Sequence, residues 1–274
     1  MATSIRDLQF ADLTYRVPEV THQYGAQVHI LNHPLLLSVL AQLCSAETFQ
    51  PFINEYVSFL YRSLFEYVVN KEFPTSTASI PTRMATAHPN EGVYEGPVLD
   101  PSSHVVSVNL ARAGTLPSHI FYSLLNLVLD PHKLRQDHIS IARQTNFKHE
   151  VTGSALSGHK IGGPVDRAIL LIPDPMGATG STLIETLRLY KSYGKAAKTI
   201  SAHCVITPEF ARAVGKEFPE HIIYSIRMDR GLSDSSILKT PLGSQWDQEK
   251  GLNAESYIVP GAGGIGEVLN NAFV

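Results

Sequence analysis

Residues 168–193, AILLIPDPMGATGSTLIETLRLYKSY, decide how this chain is read. Residues 169–172 are a short apolar run, as expected of a buried strand. The run ends at Asp174, a loop of small residues follows, and an amphipathic helix begins at Ser181. This layout suits a loop that wraps a phosphate at a helix N-terminus, where free N–H groups and the helix dipole both favour an anion. Gly177 and Gly180 let the backbone come close to a ligand, and Thr179, Ser181 and Thr182 add hydroxyls. Two plainer readings compete. A triphosphate loop of the Gly-x4-Gly-Lys-Ser/Thr kind fails, because no lysine follows Gly180. An ordinary strand-to-helix turn also carries such residues. Asp174 favours the functional reading: a carboxylate can accept from two sugar hydroxyls while the cup holds the sugar's phosphate. That combination asks for a ribose 5-phosphate.

Outward from this stretch, strands and helices alternate. Strands are expected over residues 105–110, 138–142, 168–172, 199–206 and 222–228. Helices are expected over 118–129, 181–193 and 208–217, the last with Thr207 as N-cap and Pro208 in its first turn. The alternation predicts an α/β fold with a mostly parallel sheet flanked by helices on both faces. Ligands in such folds bind beyond the strand C-termini, so Arg112, Asp174 and Asp229 should converge on one face. Residues 144–166 read as a hairpin arm or mobile loop. Upstream, Pro34 opens a helix over 35–46, and apolar residues from Phe49 to Val68 recur at helical spacing. Pro74 and the Ser/Thr run close that helix, and residues 89–103, with two glycines and two prolines past Pro89, read as loop. We expect one domain over 1–274. It comprises an N-terminal helical segment and loop (1–103), an α/β core (104–232) with the arm 144–166, an insertion (233–253) around the only tryptophan, Trp246, and a C-terminal hood (254–274).

Composition narrows the function classes. The 274 residues suffice for a large core, charged residues make up 17%, and the net charge is −3. Nothing here suggests a nucleic-acid or membrane surface. The N-terminus lacks a basic start and an apolar signal core. The longest stretch without Lys, Arg, Asp or Glu, residues 20–46, carries His, Asn, Gln and Pro34, which argues against a membrane span. We read a soluble cytoplasmic protein. Cys44 and Cys204 fit reduced small hydrophobes rather than a disulfide, and no zinc spacing exists.

Near the C-terminus, residues 261–266 spell Gly-Ala-Gly-Gly-Ile-Gly after a strand-like segment at 257–259. A dinucleotide site would need a helix, a second strand and an acid about twenty positions on, and only eight residues remain. The choices left are a flexible tail or a backbone-built pocket, whose amides could pair with the edge of a flat heterocycle such as uracil.

Four blocks together resemble uracil phosphoribosyltransferases. Residues 29–36, HILNHPLL, resemble the family's early Lys-His-Pro-Leu segment. Residues 110–114, LARAG, resemble its Leu-Arg-Ala-Gly loop. Residues 174–182, DPMGATGST, resemble Asp-Pro-Met-Leu-Ala-Thr-Gly-Gly-Ser. Residues 257–261, YIVPG, resemble its Tyr-Ile-Val-Pro-Gly-Leu-Gly-Asp hood. The blocks stand in family order across most of the chain.

The resemblance implies a type I phosphoribosyltransferase fold, a homodimer or tetramer, and transfer of ribose 5-phosphate from phosphoribosyl diphosphate to uracil, giving UMP and diphosphate. It implies that Ala178, Thr179, Gly180, Ser181 and Thr182 cradle the 5-phosphate, with Pro175, Met176 and Gly177 in the same loop, and that Asp174 accepts from the ribose. It assigns diphosphate to Arg112, Ala113, Gly114 and the arm residue Arg143, so that Asp174, Arg112 and Arg143 are the catalytic set. It assigns the base to Tyr257, Ile258, Gly263, Gly264 and Ile265, with the Tyr257 carbonyl accepting from N3 and the Ile258 and Gly263 N–H groups meeting the carbonyls. Mg²⁺ is expected on the diphosphate with few or no protein ligands. Departures cluster in the hood: Gly264 stands where the family has aspartate, and Glu267-Val268 where it has Asp-Arg. A phosphoribosyltransferase for another base, or a non-catalytic binding protein on the same fold, therefore stand beside the uracil reading.

Overall fold

The computed structural model describes residues 14–145 and 151–272, with the backbone alone over residues 141–145 and 151–156. Its core is a sheet built from β1 (Val28–Ile30), β4 (Val105–Ala111), β5 (Leu134–Thr145), β6 (Val151–Lys160), β7 (Ile169–Pro173), β8 (Met176–Gly177), β9 (Lys198–Ile206) and β10 (Ile222–Met228). The strand order is β1-β10-β9-β7-β4-β5-β6, with the two-residue β8 paired to β9. Every pairing is parallel except β5 with β6. The central strands read as near-continuous apolar runs because helices cover both faces: all five residues of β7 are buried.

Helices α1 (Pro34–Leu43), α2 (Phe52–Glu72) and α3 (Thr115–Val128) pack on one face, through residues such as Leu40, Leu60, Tyr61, Leu64 and Phe121. Helices α4 (Ser181–Lys191) and α5 (Pro208–Glu217) pack on the other, through Leu183, Leu187, Phe210 and Val214. Each such fully buried Leu or Phe contributes ~1.5–3 kcal/mol. Thr207 caps α5, its hydroxyl accepting from the Phe210 N–H at 3.0 Å, with Pro208 at the first helical position. Cys44 and Cys204 are both free thiols.

Chain direction sets where a ligand can sit. From β4 the chain passes through α3 to β5 on one side, whereas from β7 it passes through α4 to β9 on the other. The connections leaving β4 and β7 therefore diverge, opening a crevice between the C-terminal ends of these neighbouring strands.

Several expectations need correction. Residues 89–103 are not all loop: β3 (Val93–Leu99) pairs antiparallel with β2 (Thr75–Pro81), in a two-stranded sheet separate from the main one. Both strands are edges, so Pro81 and Pro97 sit in them without costing an interior ladder bond. Proline is a breaker signal only where both neighbours of a strand exist. The segment at 257–259 is not a strand. It makes one isolated bridge, Leu252 with Ile258, because its backbone bonds to loop partners instead of a ladder. The three-residue β1 carried too little pattern to be expected. Helix α3 begins three residues earlier than predicted, directly after the Arg112–Gly114 turn. The arm, read as a hairpin or a mobile loop, is a hairpin in its backbone: β5 and β6 pair from His138 opposite Lys160 to Thr145 opposite Val151.

Two histidines lie inside the sheet layers. His221 is 2% exposed, with its ring nitrogens 2.9 Å from the Thr199 and Ser201 hydroxyls. His203 is 1% exposed. Burial pushes their pKa values down from 6.5, to about 3 for His221 and about 4 for His203. The unfolded chain therefore takes up protons first as pH falls. Their neutral burial is fully stabilising above pH 6.5 and is eroded progressively from there toward pH 4 and below. Each histidine then lowers unfolding stability by up to ~1.4 kcal/mol per pH unit within its window. Urea midpoints measured from pH 7 to 4 should show this decline, and a double variant lacking both histidines should flatten it.

Candidate active site

The loop after β7 is fastened to β9 almost residue by residue. The Asp174 N–H donates to the Ala202 carbonyl at 3.0 Å. The Pro175 carbonyl accepts from the Cys204 and Val205 N–H groups at 3.0 and 3.1 Å. The Gly177 carbonyl accepts from Thr207 N–H at 3.1 Å, and the Thr207 hydroxyl donates to the Ala178 carbonyl at 2.6 Å. One threonine thus caps α5 and anchors the loop. Gly177 is required sterically: a Cβ there would lie 2.8 Å from the Ile206 side chain and 3.0 Å from Phe210.

Gly180 ends the loop at φ +85°, a left-handed conformation that glycine adopts without strain, and serves as the N-cap of α4. It has no side chain to cap the helix, and the first turn carries no acid. The Ser181 N–H donates to the Thr179 hydroxyl at 3.3 Å, and the helix dipole leaves partial positive charge at this end of α4. Thr179 and Ser181 bring their hydroxyls within 3.0 Å of each other at the same end. Asp174 is half-buried at the start of this loop.

The turn after β4 lies alongside. A Cβ on Gly114 would fall 3.0 Å from the Pro173 carbonyl, one residue before Asp174, and 2.8 Å from the Leu110 carbonyl, so the two loops touch where only glycine fits. The Ala111–Arg112 peptide is cis. Arg112 is exposed, and its guanidinium donates to the Ala272 carbonyl at 3.1 Å. Behind the turn, the Thr115 hydroxyl donates to Asn109 at 3.2 Å.

The hood closes the third side. Helix α6 (Ile265–Val268) leans on the Arg112 turn: a Cβ on Gly266 would lie 3.5 Å from that of Ala113. The segment before it is pinned by backbone bonds, with Val259 N–H to the Gly251 carbonyl at 2.8 Å and Gly231 N–H to the Val259 carbonyl at 3.0 Å. Asn253 folds the turn by accepting from the Tyr257 N–H at 2.8 Å, while its own N–H donates to the Tyr257 carbonyl at 3.0 Å. That carbonyl keeps a second lone pair. Gly261 and Gly263 take φ of +54° and +64°. A Cβ on Gly264 would sit 2.7 Å from Glu267 Oε2, so the Glu267 carboxylate stands beside the residue that lacks a side chain.

Among the sequence-derived candidates, the Arg112–Gly114 turn touches the chain leading into the Asp174 loop at Gly114, and the hood helix touches the same turn at Ala113. Arg143 lies on β5 opposite Ser154, and its side chain falls outside the described residues. Asp229 reaches the same end of the sheet in a different capacity. It is 2% exposed, forms a bidentate pair with Arg227 at 2.5 and 2.8 Å, and accepts the Gly261 N–H at 2.8 Å. It latches the hood from below rather than facing a ligand. His203, Thr207 as loop anchor, and Asn253 were not expected. Their roles depend on strand adjacency or a local turn, and no motif marks them.

A parallel sheet whose switch-point crevice is lined by an anion cup with an acid at its lip and by a cationic turn is the arrangement of a phosphoribosyltransferase. Residues 30–248 match the family model for uracil phosphoribosyltransferase, and the chain belongs to that family. The match stops short of the glycine hood. The chain is 26% identical to the uracil phosphoribosyltransferase of Dictyoglomus turgidum over 222 residues, covering 81% of this chain and 97% of that protein. It is also 26% identical to that of Rhodococcus jostii over 226 residues, covering 81% and 96%. A solved structure from Aquifex aeolicus superposes with a TM-score of 0.69 at 21% identity, covering 90% of this chain and 99% of that one, and shares the fold. Among the described residues, no helix is long and apolar enough to cross a membrane.

Proposed function

We propose that this protein transfers ribose 5-phosphate from phosphoribosyl diphosphate to N1 of uracil, releasing UMP and diphosphate. The observation that carries the reading is the contact between two unlike loops at the β4/β7 switch point. The Asp174–Thr182 loop suits a sugar diol with its phosphate. The Arg112–Gly114 turn suits a second, more highly charged phosphate group.

In this reading Ala178 to Thr182 hold the 5-phosphate on the α4 N-terminus, and Asp174 accepts from the ribose hydroxyls. Arg112 is exposed and bonded to a backbone carbonyl, so it can exchange that partner for diphosphate oxygens; Arg143 on the arm serves the same group. As the C1–O bond breaks, positive charge grows on the ribosyl carbon and negative charge on the diphosphate. Groups fixed before the reaction stabilise the departing charge more than the ground state. Cup and hood hold sugar and base in line, with Ile258 and Gly263 N–H groups and the Tyr257 carbonyl on the base edge. Among the described residues no group of three His, Cys, Asp or Glu could cage a metal. Mg²⁺ would arrive on the diphosphate, since magnesium keeps several waters and needs few protein ligands. When bound, it supplies charge neutralisation to the leaving group. We assign the protein to the cytoplasm as a homodimer.

The Glu267 carboxylate beside Gly264 favours a second reading, in which the base carries an extra N–H donor that this acid accepts. Diphosphate release measured with Mg²⁺ and a panel of pyrimidines and purines separates the two. We expect UMP from uracil as the main product. A preference for an amino-bearing base supports the second reading, and folded protein that turns over no base overturns both.

A further inference from the structure

His203 sits on β9 under the sugar-binding turn. Its Nδ1 donates to the backbone carbonyl of Asp174 at 2.6 Å. A carbonyl can only accept, so Nδ1 carries the proton and Nε2 is bare. Nε2 is buried and has no hydrogen-bond partner. The ring packs edge-on to Phe210, with centroids 4.8 Å apart. A leucine would fill this apolar niche without stranding a polar atom, and a stranded buried nitrogen calls for an explanation.

The explanation lies in the residue after Asp174. A peptide plane normally offers two handles, a carbonyl and an N–H. The plane joining Asp174 to Pro175 has no N–H, because its nitrogen belongs to proline. Its carbonyl is the only polar atom by which the protein can hold it, and His203 holds that atom. The planes on either side are tied to β9 by other groups: the Asp174 N–H to Ala202, and the Pro175 carbonyl to Cys204 and Val205. Without His203, the plane next to the sugar-binding carboxylate loses its tie to the sheet.

The geometry points to His203 as a positioning residue that fixes the Asp174–Pro175 plane, and with it the direction in which the Asp174 carboxylate leaves the chain. The inference rests on the reading of Asp174 as the ribose acceptor. Burial keeps the ring neutral at physiological pH, so this support does not vary there.

The test uses the full-length chain with His203→Asn, His203→Leu and His203→Gln, read by KM for phosphoribosyl diphosphate, kcat and melting midpoint. Asparagine places its amide nitrogen near the position of Nδ1 and replaces the stranded Nε2 with an amide oxygen. It should keep KM within about threefold of wild type, whereas leucine should raise KM about tenfold or more while melting no lower, the signature of lost positioning. Glutamine carries its amide one bond further out and should behave as leucine does. Three results would each overturn the inference: leucine with unchanged KM, asparagine as impaired as leucine, or loss of activity that tracks loss of melting temperature across the series. If leucine does not fold, the contrast between asparagine and glutamine decides. Wild type that neither binds phosphoribosyl diphosphate nor turns over a base overturns the functional reading as well. An active wild type with an indifferent His203 overturns this inference alone.

Discussion

Asp174→Asn should leave the fold intact and cut kcat/KM at least about 100-fold, because two charge-assisted hydrogen bonds to the ribose diol, ~1.5–3 kcal/mol each, become weaker neutral ones. The fold is spared for a specific reason. The backbone of residue 174 is tied to the sheet through the Ala202 carbonyl and the His203 ring, and asparagine keeps both bonds. The side chain is half-buried at a loop, so an amide of the same shape fits without a cavity. Equal melting curves with a collapsed rate are the expected pair of measurements. Near-normal turnover would mean that the carboxylate faces something other than the sugar.

Glu249→Ala should have the largest effect on stability, with little direct bearing on the crevice. Glu249 is 1% exposed, inside the segment at 233–253. It accepts from Arg230 at 2.6 Å, from the Gly243 N–H at 2.9 Å and from the Tyr24 hydroxyl. Alanine leaves Arg230, itself 11% exposed, with its charge uncompensated. Breaking a buried pair in this way costs ~3–5 kcal/mol. For a chain of this size that is a fall of roughly ten degrees in melting temperature. Trp246 fastens the same segment, donating to the Pro208 carbonyl at 2.9 Å and meeting the Tyr24 ring edge-on at 5.3 Å. The segment is therefore a brace linking the N-terminal strand, α5 and the approach to the hood. A loss under 1 kcal/mol in urea titration would refute that account.

Much of the architecture is legible in the residues because its signals are local. Apolar runs of strand length, helical periodicity from Phe49 to Val68 and the Thr207-Pro208 start of α5 each act within a few residues. So does the cup: strand, Asp174, glycines and hydroxyls are contiguous, and a helix N-terminus binds anions wherever it occurs. The edge hairpin β2–β3 was hidden because its prolines are harmless only when no third strand adjoins. A side chain at Gly114 would clash with the local Leu110 carbonyl and also crowd the Pro173 carbonyl, a contact between segments about sixty positions apart that no local pattern shows. Asp229 was expected on the same face as Arg112 and Asp174, since it too lies past a strand end. The Gly261 N–H and Arg227 claim it, and both claims depend on how the hood folds back.

The chemistry of the parts was written in the chain: an anion cup with an acid at its lip, a cationic turn, and a glycine segment rich in exposed amides. Their assembly was not. Strand order placed β4 beside β7 and so brought the Arg112–Gly114 turn to the loop that carries Asp174, because loops that diverge from adjacent strands must leave a crevice between them. Tertiary structure alone also decided which polar groups face that crevice and which hold it in shape. Hydrogen bonds between distant segments carry no mark in the local sequence, and only the folded chain shows that His203 grips Asp174 while Asp229 latches the hood.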